Sequence, residues 1–170
     1  DVLFGVVSPS GKLPVTFYQS DEDLPDFREY SMENRTYRYF TGTPLYPFGF
    51  GLTYSTFEVS DLELTAQGGS VTVTNTGKVA AREVVQVYVT APKQKELRNL
   101  VAFAPVSLNP NQSKTVQFCF DERAFARYDA NGDLQEIPGT HTISVGFSQP
   151  DQRSIGLCKV TPLKGTITIS

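Results

Sequence analysis

From Phe57 onward the chain is a succession of short runs with an apolar side chain at every second residue, a pattern that restricts the possible folds more than any other feature. FEVSDLEL, SVTVTNTG, EVVQVYVT, TVQFCFD, THTISVGF and GTITIS are rich in β-branched and aromatic residues, which pack well on a pleated surface. Alternate side chains of a strand point to opposite faces. One face of VVQVYVT therefore carries Val85, Val87 and Val89, and one face of TVQFCFD carries Val116, Phe118 and Phe120, with Cys119 on the other. HTISVGF offers Ile143, Val145 and Phe147. Turn formers separate the runs, at 67–69 (QGG), 75–77 (NTG), 109–111 (NPN), 131–132 (NG) and 138–139 (PG). The Asn-Gly step between FARYD and LQEI is the strongest local hairpin signal. About seven such strands predict a two-sheet antiparallel sandwich.

Residues 1–53 follow other rules. DVLFG reads as the last turn of a helix ending at Gly5, SPSG as a turn, LPVTFY as one buried strand, and residues 20–34 as an acidic loop. One strand and one helical end cannot bury a core. This portion is expected to pack on a body outside the sequence, and a start at Asp1 without a leader reads as a chain cut from something longer. Residues 37–57 then hold eight of the 20 aromatic residues, broken by Gly42, Pro44, Pro47, Gly49 and Gly51. Such a stretch is too interrupted for a helix or a single strand.

A length of 170 residues suits one domain plus a piece of another. A net charge of −3 argues against nucleic acid, whose phosphates demand clustered Lys and Arg. No run of 18 apolar residues is present, so no membrane span is expected. Cys119 and Cys158 lack metal-ligand spacing and sit in the strand-like segments VQFCFD and IGLCKV; two separate thiols are expected, with no metal and no cofactor.

Candidate chemistry is sparse. Asp21, Glu22, Asp23 and Asp26 cluster near Arg28, but an acidic loop reads as a solvated face. Asp121 and Glu122 follow a strand and read as a turn. His141 shares parity with Ile143 and Val145 and is expected to pack at a strand end. Serine-nucleophile motifs, phosphate loops and metal clusters are missing. The triplets at Asn34 and Asn111 match glycosylation sequons at chance frequency.

SPSGKLPVTF (8–17), NRTYRYFTGTPLYPFGFGLTYSTF (34–57), EVVQVYV (83–89) and LRNLVAFAPVSLNPNQSKTVQF (97–118) resemble, in order and over essentially the whole chain, the C-terminal end of family 3 glycoside hydrolases. The resemblance implies a mainly β fold: an antiparallel immunoglobulin/fibronectin III-like sandwich preceded by a partial α/β segment. Residues 1–53 would be the C-terminal tail of an α/β sandwich domain, and residues 54–170 a fibronectin type III-like domain. RTYRYF with YPFGFGL is most similar to β-xylosidases and their β-glucosidase relatives. The implied protein is a periplasmic or extracellular exo-acting retaining β-glycosidase that removes terminal sugars from plant-type oligosaccharides. The implied partners are its own N-terminal catalytic domains and, through the full enzyme, a β-linked oligosaccharide.

Retaining glycosidases use two carboxyl groups about 5–5.5 Å apart. The family places its nucleophile Asp in the first domain and its acid/base Glu earlier in the second, both upstream of Asp1, so no catalytic residue is expected in this chain. Asn34 departs from the family, which usually has Gly there. On this reading the aromatic run is the seam between two domains. Tyr37, Arg38 and Tyr39 are its candidates to reach the rim of the sugar pocket, because rings stack on sugars and Arg bonds hydroxyls. A free-standing fibronectin III-like binding or adhesion module without catalysis is the alternative, but its first 53 residues would leave apolar surface unpaired. A carbohydrate-binding sandwich would want exposed rings on one face; this one lacks Trp, and most of its rings alternate inward.

Overall fold

The computed structural model describes residues 1–93 and 98–170. Leu97, which opens the 97–118 stretch, lies outside them. Strands β1 (Phe57–Thr65), β2 (Gly68–Asn75), β3 (Ala81–Thr90), β4 (Asn99–Leu108), β5 (Ser113–Cys119), β6 (Ala126–Tyr128), β7 (Leu134–Glu136), β8 (Gly139–Gly146) and β9 (Leu163–Ile169) make up the sandwich. One sheet has the order β1-β2-β5 and the other β4-β3-β8-β9, and all pairings are antiparallel. β6 and β7 form a separate hairpin.

Period-two patterning becomes the core directly. Val85, Val87, Val89, Val116, Phe118, Ile143, Val145 and Phe147 are buried between the sheets, Phe120 packs half-buried at their edge, and Cys119 faces outward. Burying each such side chain stabilises the fold by roughly 1.5–3 kcal/mol. In β1 the apolar parity changes from Phe57 and Val59 to Leu62 and Leu64. A bulge between Ser60 and Glu63, with Asp61 at φ 50°, supplies the extra residue that keeps all four pointing inward. β4 was not among the strand-like runs. It is an edge strand, so Pro105 removes no ladder bond that the sheet needs. The Asn-Gly signal does mark a hairpin, with a five-residue loop closed by Asp129 N–H to Asp133 O (2.9 Å) and Gly132 at φ 88°.

Two expectations are corrected. LPVTFY is not a buried strand: it makes one bridge, Phe17 to Tyr46, and Val15 and Phe17 are about half exposed. A buried strand needs bonded neighbours and cover on both faces, whereas residues 45–50 bond only one edge of this segment, through Leu13 and Phe17. IGLCKV is not a strand either. Ile155 to Cys158 end a helix, α2 (Gln152–Cys158), whose N-cap Asp151 accepts from Ser154 N–H at 2.8 Å. Both thiols are free. At the N-terminus, Gly5 N–H to Val2 O and Val6 N–H to Asp1 O, with Gly5 at φ 73°, form the bond pair that closes a helix at a left-handed glycine.

The aromatic run wraps the outer face of the four-stranded sheet. Gln86 and Tyr88 alternate away from the core, yet both are buried, because Phe48, Gly49 and Tyr37 cover them. Residues 11–13 run beside 49–51, joined by Leu13 N–H to Phe50 O (2.9 Å) and Gly49 N–H to Leu13 O (2.8 Å). β3 is thus covered on both faces.

Candidate functional site

The three rim candidates sit on a single helical turn, α1 (Thr36–Tyr39). The loop before it turns at Asn34, which takes φ 56° in place of glycine and accepts from Thr41 N–H (3.1 Å) and Thr41 Oγ1 (3.2 Å). Asn tolerates this left-handed backbone better than most residues. Tyr37 turns onto the outer face of the four-stranded sheet. It stacks on Phe48 (4.1 Å between centroids, 13°), meets Tyr88 edge-on, and its hydroxyl accepts from Leu100 N–H (3.1 Å). Arg38 and Tyr39 face the other way, with the Arg38 guanidinium 5.8 Å from the centre of the Tyr39 ring. With β4 and the β6–β7 hairpin they line a groove of about 930 Å³. The structure therefore brings Arg38 and Tyr39 to one surface and Tyr37 to another.

The acidic candidates serve local geometry. Asp21, Glu22 and Asp23 form a short 3-10 turn in which Asp23 accepts from Gln19 and Ser20 N–H, and Asp26 accepts from Arg28 N–H at 2.7 Å. Glu29 is held below the usual carboxylate range by Ser31 N–H, Asp121 by its bond with Arg123, and Asp129 by Asp133 and Asn131 N–H. Each shift favours the charged form, the opposite of what a proton-donating acid needs. His141 is fully buried in β8. It donates from Nε2 to Ile137 O (2.7 Å), packs on the edge of Phe125, and so braces the hairpin base. Among the described residues no group of three or more His, Cys, Asp or Glu converges as a metal site, and no helix is long and apolar enough to cross a membrane.

The seam contains a polar set absent from the sequence reading. Lys12 Nζ and Glu83 Oε1 pair at 2.6 Å with little exposure on either side. Gln86 donates to Gly49 O (2.9 Å) and Phe147 O (2.8 Å) and accepts from Tyr88 Oη (2.7 Å), whose phenol burial holds well above its ordinary pKa. Arg98 pairs with Asp151 (2.8 Å), and Arg153 donates to Pro44 O and Leu45 O, tying α2 to the aromatic run. A buried charge or amide is tolerated only when bonded in this way. The available signal was a Glu and a Gln inside a valine-rich run.

Residues 1–54 match the glycosyl hydrolase family 3 C-terminal domain, and residues 83–149 match the fibronectin type III-like domain. The chain is 36% identical to a xylan 1,4-beta-xylosidase of Xylanibacter ruminicola, over 89% of this chain and 19% of that protein. It is 37% identical to a periplasmic beta-glucosidase of Salmonella typhimurium, over 86% of this chain and 22% of that protein. Among solved structures, beta-D-glucoside glucohydrolase from Trichoderma reesei superposes with a TM-score of 0.84 at 28% identity, covering 100% of this chain and 28% of its own. Beta-glucosidase 3B from Thermotoga neapolitana superposes with a TM-score of 0.82 at 34% identity, covering 99% and 26%. The chain spans about a fifth of the length of the curated relatives it matches.

Proposed function

Because this chain is the C-terminal region of a family 3 glycoside hydrolase, we propose that it completes an exo-acting retaining β-glycosidase, a β-xylosidase or β-glucosidase acting on plant-type oligosaccharides. Residues 1–53 are the tail of the α/β sandwich domain, and residues 54–170 are the fibronectin type III-like domain that braces it. Both essential carboxylates lie upstream of Asp1, in the N-terminal domains that are this chain's partners. The enzyme works in the periplasm or outside the cell, a reading supported by the relative named periplasmic.

One observation carries the proposal. Of 18 large apolar side chains exposed among the described residues, only Val79, Phe103 and Tyr128 lie beyond residue 54. The other 15 include Leu3, Phe4, Phe27 and Tyr30, each at least 86% exposed. An exposed apolar surface concentrated in one segment marks a docking face. The test is hydrolysis of aryl β-xyloside and β-glucoside by this chain, by the upstream part of the polypeptide, and by the two mixed. Turnover is expected only when the upstream part is present, and highest in the mixture. Turnover by the purified chain alone contradicts the proposal, and failure of the two parts to associate favours the free-standing module.

A further inference from the structure

The β6–β7 hairpin joins neither main sheet, yet it is held firmly. Ile137 N–H bonds Phe125 O at 2.9 Å, His141 bonds Ile137 O, and Asp129 Oδ1 accepts from Asn131 and Asp133 N–H. Pairing of Tyr128 with Leu134 and of Ala126 with Glu136 puts these four on one face of the hairpin. Tyr128 is 63% exposed there, outside the inward alternation of the other sandwich rings, and Glu136 is exposed beside it.

The hairpin walls the groove of about 930 Å³ opposite Tyr39 and Asn99, a size within the range of ligand clefts. Among the described lining residues the charges balance, with Arg38, Arg123 and Arg127 against Asp121, Asp129 and Glu136. A balanced wall does not select an anion or a cation. It presents donors and acceptors together, which suits hydroxyls because each is both donor and acceptor. The exposed phenol ring offers an apolar plane to the C–H face of a sugar.

We propose that this groove binds a neutral β-linked oligosaccharide, with Tyr128 as stacking platform and Asn99 and Glu136 as hydroxyl partners. Occupancy of the groove is expected to raise capture of longer substrates by the full enzyme. The choice of a saccharide among neutral polyols rests on the glycosidase reading.

Titration calorimetry of the 170-residue chain with xylohexaose and cellohexaose tests the proposal. Binding is expected to weaken about tenfold or more in Tyr128→Ala, to persist in Tyr128→Phe, and to be unchanged in Phe103→Ala, which lies away from the groove. A thermal melt of each variant checks the fold. No binding of either hexasaccharide at millimolar concentration, binding that survives Tyr128→Ala, or tighter binding of hexagalacturonate overturns the proposal. Aryl monosaccharide glycosides are too short to use this groove. Restored aryl-glycoside turnover without hexasaccharide binding therefore sinks this inference alone, and hexasaccharide binding without restored turnover sinks the glycosidase reading alone.

Discussion

Gly49 shows how closely single residues are constrained at the seam. Its φ is 78°, and a Cβ added there would lie 2.2 Å from Gln86 Oε1 and 2.8 Å from the Tyr88 hydroxyl. Both atoms belong to the bonded set that includes Gly49 O, so neither can move without leaving a buried polar group unpaired. Gly132 has a similar φ of 88° but open space around it. Gly49→Ala is expected to cost about 2–4 kcal/mol, from backbone strain plus a disrupted buried bond, and Gly132→Ala about 1–2 kcal/mol from backbone strain alone. Urea denaturation of the two variants checks this, and equal losses would contradict the account. Asn34 makes the complementary point, because there a left-handed turn is held without glycine.

Among the elements, the β6–β7 hairpin has a built-in acid sensitivity. The Asp129 carboxylate sits below its ordinary value near 3.8 because Asp133 and Asn131 N–H bond its charged form. A lowered folded pKa means the contribution is complete above the ordinary value and is lost as pH falls through the folded one. The Asn131 amide resonance is expected to shift on acidification with a midpoint below 3.8, and the transition should vanish in Asp129→Asn. A midpoint at or above 3.8 would contradict the assigned cause. The same scale shows what patterning reveals and what it hides. Val85, Val87, Ile143 and Val145 were legible because a strand with one face on the core needs only a period of two. Ile155 and Leu157 show the same spacing within a seven-residue helix, too short for period alone to decide; the Asp151 cap was the missed signal. LPVTFY carried no mark of whether partner strands exist. Lys12 and Glu83 meet only through tertiary folding, so neither residue's local pattern announced the pair. At the rim, consecutive residues of one helical turn point about 100° apart. Tyr37 and Arg38 were therefore bound to diverge, in directions that only the packed sheet determines.

At the scale of the whole molecule the aromatic run has two sides. Phe40, Pro47, Phe50 and Phe57 are buried, whereas Leu45, Tyr46, Leu52 and Tyr54 remain exposed on the same stretch as Leu3, Phe4 and Phe27. One side joins residues 1–54 to the sandwich, and the other is offered to the N-terminal domains of the proposed glycosidase. On the proposed reading, the helix end closed at Gly5 and the one-edged segment LPVTFY pack on that body. Amide hydrogen exchange of this chain, alone and mixed with the upstream part of its polypeptide, tests the docking claim most directly. New protection is expected in residues 2–7, 13–18 and 24–32, with the buried strands β3 and β8 unchanged. Association with no added protection in those segments, or protection confined to the sandwich, would contradict it.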